Sequence, residues 1–130
     1  MANILIIDSI ASIRQLISFA LTGSGFEVSV CSDEVCVFEK IQQQKFDLVL
    51  TGLNTPKMTS LDLTKELRAI PDFGSTPIVV VSTQAGAEVM QEGKQVGVTD
   101  WLIKPFNPQT LIATIKNNLH PNADCSSFVN

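Results

Sequence analysis

At 130 residues with 45% apolar side chains, the chain is long enough to close one hydrophobic core and too apolar to stay disordered. Nine lysines and arginines against thirteen acids leave a net charge of −4, which argues against a nucleic-acid groove, since that needs a basic face. No apolar run approaches the roughly 20 residues that span a bilayer, and the opening MANILIID meets an acid too early for a signal peptide, so a soluble, cytoplasmic domain is expected.

Five short apolar runs alternate with segments of helical period. The first, Asn3–Ile7, is nearly continuous Ile and Leu, the pattern of a strand buried on both faces of a parallel sheet. The helix after it, Ile10–Thr22, carries an inward stripe of Ile13, Leu16, Ile17, Ala20 and Leu21, and Gly23 or Gly25 stops it. Phe26–Cys31 alternates more and reads as an edge strand. Ser32 is the expected cap of a second helix, with Val35, Phe38 and Ile41 turned to the core. Asp47–Thr51 is a second continuous run. Thr59 with Asp62 resembles a capping box for a third helix, which Pro71 ends. Pro77–Ser82 is the fourth strand, and Ala85–Val96 is a weaker helix closed by Gly97. Asp100–Ile103 is the fifth strand. Asn107 followed by Pro108 opens the last helix, with Leu111, Ile112, Ile115 and Leu119 inward.

The order is (βα)5, which implies an α/β doubly wound parallel five-stranded sheet with helices on both faces. Residues 1–120 form one domain, and residues 121–130, PNADCSSFVN, form a flexible polar tail. Cys31, Cys36 and Cys125 are an odd set without redox-motif or zinc spacing, so they read as reduced thiols rather than a site. The single histidine, His120, leaves zinc short of ligands.

A sheet of this type gathers its chemistry at the carboxyl ends of its strands. The residues there are Asp8 and Ser9, then Thr51, Gly52, Leu53 and Asn54, then Ser82 and Thr83, and finally Lys104, Pro105 and Phe106. Four stretches resemble the receiver domains of bacterial two-component response regulators, the CheY-like family. ILIIDSIASIR is similar to the family's ILIVDDSxxxR, and DLVLTGLNTPKMTSLDL to DLVLLDxxMPxMDGxEL. PIVVVST is similar to PIIxLTA, and GVTDWLIKPF to GAxDYLxKPF. The likeness runs from about Asn3 to Leu119 and implies strand order 2-1-3-4-5, a flavodoxin-like arrangement.

The resemblance also implies a chemistry: transfer of a phosphoryl group from a histidine kinase to an aspartate. Magnesium and a lysine neutralise charge on the moving group. Position by position, the first acid of the metal-binding pair falls on Asp8, the second is replaced by Ser9, and the acceptor is replaced by Gly52. The switch hydroxyl falls on Ser82, the switch aromatic on Trp101 and the lysine on Lys104. The Lys104–Pro105 bond resembles the family's cis peptide.

Asp47 lies at the far end of its strand, roughly 16 Å away at 3.3 Å per residue, and Asp62 belongs to a helix start, so neither replaces the acceptor. Three carboxylates and one ammonium in the family become one of each here. A lone carboxylate beside a lysine is a poor magnesium site, so no cofactor is expected, magnesium binding should be weak or lost, and Lys104 should pair with Asp8. Ser9 reads as part of the first helix cap.

The expected function is a receiver module, not an enzyme, that signals by protein–protein contact without phosphorylation. The pocket set is Asp8, Ser9, Gly52, Asn54, Ser82 and Lys104, with Trp101 as either a partner contact or a packing residue. Expected partners are a histidine kinase, another regulator or a motor or output protein. The expected state is a monomer or a weak dimer through the fourth helix, fifth strand and fifth helix. Two alternatives stay open: a phosphorelay protein with another acceptor, such as Thr51, Ser60 or Asp8, and a small enzyme or flavin-binding protein on the same fold. A P-loop is absent.

Overall fold

The computed structural model describes residues 2–52, 57–83 and 86–119. In chain order the elements are β1 (Asn3–Asp8), α1 (Ala11–Gly23), β2 (Glu27–Cys31), α2 (Glu34–Gln43), β3 (Leu48–Gly52) and α3 (Ser60–Arg68). A short 3-10 turn, Pro71–Phe73, leads to β4 (Ile78–Ser82), α4 (Ala87–Val96), β5 (Asp100–Ile103) and α5 (Pro108–Leu119). All strands pair in parallel, in the order β2-β1-β3-β4-β5. The chain is thus the doubly wound α/β sheet expected from its pattern. Asn54, His120, Cys125 and the tail assigned to 121–130 lie outside the described residues.

The near-continuous apolar strands are buried on both faces because successive side chains point to opposite sides of a sheet. Ile4 and Ile6 of β1 face one core with Leu48, Leu50, Val79 and Val81, covered by Ile17 and Leu21 of α1 and Leu111 and Ile115 of α5. Leu5 and Ile7 face the other with Val49 and Ile78, covered by Val37, Leu63 and Leu67 of α2 and α3. Each fully buried Ile, Leu or Val contributes roughly 1.5–3 kcal/mol of burial free energy, so the two layers hold the sheet and fix which strand ends share a rim.

Several local expectations change. Leu16 is 47% exposed, because Ile13, Ile17, Ala20 and Leu21 already fill the contact with the sheet. Val35 is 60% exposed: it sits in the first turn of α2, before the helix meets the core through Val37, Phe38 and Ile41. Asp33, not Ser32, caps α2 by accepting the Cys36 N–H at 2.9 Å. Thr59 and Asp62 do form the capping box of α3, and Asn107 Oδ1 accepts the Thr110 N–H at the start of α5. The Ala85 start expected for the fourth helix lies outside the described residues, and α4 begins at Ala87. The reading of Cys31 and Cys36 as reduced thiols is corrected. The chain turns back between β2 and α2, which brings the two Cα atoms to 5.5 Å, and a disulfide joins the side chains. Sequence separation alone hides that reversal.

Candidate functional site

The parallel register sets Asp8 beside Gly52, at the carboxyl ends of the two central strands. The Asp8 side chain is 1% exposed. Its Oδ1 accepts the Ile10 N–H at 2.9 Å. Ile10 is the N-cap of α1 and makes no side-chain cap bond. Ser9 therefore does not cap the helix as expected; the Asp8 carboxylate takes an N–H at the helix entry instead. Arg14, one turn into α1, donates from Nη1 to the Asp8 carbonyl at 2.6 Å. Asp8 Oδ2 faces the other way, toward Lys104 Nζ at 3.5 Å, and takes no hydrogen bond from the described residues. The expected Asp8–Lys104 pair is present.

Gly52 has a specific relation to that pair. A Cβ on residue 52 would press into Asp8 Oδ2, lie 3.2 Å from Asp8 Cγ and 3.4 Å from the Val81 carbonyl oxygen. The Asp8 carboxylate thus fills the space that any side chain at 52 would enter. Lys104 is placed by the end of the sheet, since its backbone N–H donates to the Ser82 carbonyl at 2.9 Å. The Lys104–Pro105 peptide that follows is cis.

Above these residues opens a cleft of about 740 Å³. Ser9, Gly52, Ser82, Trp101 and Lys104 all line it, with Asp8 beneath its floor. The acids judged too remote are remote: Asp47 accepts the Asn3 N–H at the opposite end of the sheet, and Asp62 is held in the capping box. Thr51 is fully buried and Ser60 is 8% exposed. Their hydroxyls lie 3.3 Å apart, and Ser60 also donates to the Thr51 carbonyl.

The response regulator receiver domain model matches residues 4–116. The chain belongs to the response regulator receiver family. Among curated relatives, the DNA-binding response regulator MtrA of Mycobacterium tuberculosis is 32% identical over 122 residues, which is 94% of this chain and 52% of MtrA. The chain spans about half the length of the first such relatives it matches. Chemotaxis protein CheY-3 of Vibrio cholerae is 30% identical over 110 residues, covering 84% of this chain and 85% of that one. A solved structure of CheY4 from Vibrio cholerae superposes with a TM-score of 0.87 at 39% identity, covering 91% of this chain and 98% of that chain.

The receiver scaffold brings together every described residue assigned to the pocket. Thr59, expected only as a helix cap, and Ser60, raised only as an alternative acceptor, line the same cleft at the start of α3. Val89 and Glu92 on α4 line it too, and pattern alone missed them. Gly93, buried in α4 beside Glu92, was missed as well and is more informative. A Cβ there would run into Trp101 Cζ2 and lie 3.2 Å from Val98 Cγ2, so the indole rests on the bare backbone of the helix. The signal was available: an isolated glycine inside a helical pattern costs stability and usually has a packing reason.

Proposed function

We propose that this receiver acts as a phosphorylation-independent protein-binding module. The observation that carries the reading is the seating of the Asp8 carboxylate against Gly52, paired with Lys104, where the family places its acceptor side chain. A glycine cannot form an acylphosphate. Asp8 is buried with its Oδ2 toward the lysine, while Thr51 and Ser60 are buried in a mutual hydrogen bond. Those placements favour an inert pocket over an alternative acceptor.

The donor set also supports weak magnesium binding. The Asp8 carboxylate has Oδ1 engaged by a backbone N–H and Oδ2 beside an ammonium, whereas magnesium binds through free carboxylates in near-octahedral geometry. No step of the proposed function passes through the metal.

The partners proposed are proteins: a histidine kinase, a second regulator or an output component, met through the face formed by α4, β5 and α5. The module itself is a cytoplasmic monomer or weak dimer that does not act on nucleic acid or membrane. Partner binding selects between receiver conformations only to the extent that the partner's affinity differs between them.

Incubation with acetyl phosphate, or with an autophosphorylated histidine kinase, in the presence of magnesium tests this directly. Intact-mass and peptide spectrometry should find unmodified protein after the donor is consumed. A phosphoryl group on any pocket residue would overturn the reading.

A further inference from the structure

The Cys31–Cys36 bond lies outside the pocket chemistry. Cys31 ends β2, an edge strand, and pairs in register with Ile7, one residue before Asp8. Cys31 is 2% exposed, whereas Cys36, in the first turn of α2, is part-exposed. The bond closes a loop with a sequence separation of only five. A loop that short gives up less chain entropy in the unfolded state than a long closure does. The turn it spans is already fixed by Asp33, which caps α2 through the Cys36 N–H. Cys31 belongs to the second hydrophobic layer and Cys36 packs against it, so the bond joins a core residue to the first turn of α2. A short link between buried Cys31 and part-exposed Cys36 is open to a small thiol from the Cys36 side only, and so has the features of a reversible link. Disulfides in reducing compartments are mostly of that redox-sensing kind.

We infer that Cys31 and Cys36 form a thiol–disulfide modification site whose co-reactant is a small disulfide of the glutathione type. In the oxidising direction the Cys36 thiolate attacks the small disulfide, forms a mixed disulfide and releases one thiolate. The Cys31 thiolate then attacks the Cys36 sulfur and releases the second. The two cysteines lose two electrons and two protons, and the small disulfide gains them as two thiols. Reduction runs the same steps backward and enters at Cys36, because Cys31 is buried. The state of the bond sets how firmly the first turn of α2 is tied to the sheet. That turn carries Val35, 60% exposed. This inference is independent of whether the pocket is inert.

The test uses the full chain with Cys125→Ser, so that one thiol pair remains. Equilibration across ratios of reduced to oxidised glutathione, acid quench, maleimide alkylation and mass spectrometry should show both thiols lost and regained together. Amide exchange at Cys36 and Val37 should be about tenfold faster in the reduced form, as local opening of a less tethered turn requires. Cys36→Ser and, separately, Cys31→Ala should exchange at the reduced rate at every ratio. Three results would each overturn the inference: both thiols stay alkylatable in excess oxidised glutathione, the bond reduces only after denaturation, or exchange is the same in both states.

Discussion

The Asp8–Lys104 pair is asymmetric, because the carboxylate is 1% exposed and the lysine side chain 18%. Removing the partner of the more buried charge should cost more than removing that charge. Lys104→Met strands a buried carboxylate and should destabilise by about 3 kcal/mol, the low end for breaking a buried pair. Asp8→Asn leaves an ammonium that can turn to water, and it should cost less. Urea unfolding of the two variants checks the order. Gly52 gives a second prediction. Gly52→Ala forces a methyl group into the Asp8 carboxylate and should cost about 1–3 kcal/mol, as overpacking does. In an Asp8→Ala background most of that cost should vanish, a coupling that a double-mutant cycle reads directly. If the two changes add, the contact between residue 52 and Asp8 has no energetic weight. The residue scale is also where the pocket was most legible. Asp8, Gly52, Ser82 and Lys104 could be placed by their offsets from strand ends. The Asp8–Lys104 pairing followed from the charges left in the pocket; the Ile10 N–H on Oδ1 and the seating of the carboxylate against Gly52 did not, since they depend on backbone that arrives only with the fold.

At the scale of elements, α4 and β5 meet through Trp101 and Gly93. Alanine is better than glycine in a helix interior by about 1 kcal/mol. Gly93→Ala should nevertheless destabilise the protein, because its methyl group displaces the indole. With Trp101→Ala present, the same substitution should stabilise by about that helix-propensity difference. Thermal unfolding of the four variants reads the change of sign. Tryptophan fluorescence should report a more exposed indole in Gly93→Ala alone. Helix ends were mixed in legibility. The Thr59–Asp62 box was readable because its two partners are close in sequence. At α2 the expected cap was Ser32, and the backbone geometry of the turn instead selects Asp33, whose side chain accepts the Cys36 N–H.

At the scale of the whole molecule, Arg68 ties distant segments. From the end of α3, its Nε and Nη2 donate to the Gly97 carbonyl at 3.0 and 2.9 Å, its Nη1 to the Phe73 carbonyl and its Nη2 to Thr99 Oγ1. Thr99 Oγ1 in turn accepts the Ile78 N–H at the start of β4. Burial pushes the Arg68 guanidinium below its usual range. Gly97 closes α4 at φ 105°, a left-handed conformation that favours glycine, and the Arg68 stem passes where a Cβ would project. Arg68→Met keeps the stem and removes the donors. It should cost about 2 kcal/mol, since hydrogen bonds to charged donors are worth about 1.5–3 kcal/mol each and part of that is recovered by water. Hydrogen exchange should rise first at Val98 and Thr99.

By itself, the sequence determined the (βα)5 order, the parallel sheet and the identity of the strand-end residues. These follow from short-range periodicity and from offsets within single segments. Tertiary structure alone decided that Asp8 fills the space at Gly52, that Trp101 lies on Gly93, that Cys31 reaches Cys36 and that Val35 and Leu16 stay outside. Each of these depends on where a second segment arrives once the sheet has twisted and the helices have packed. No local pattern encodes that.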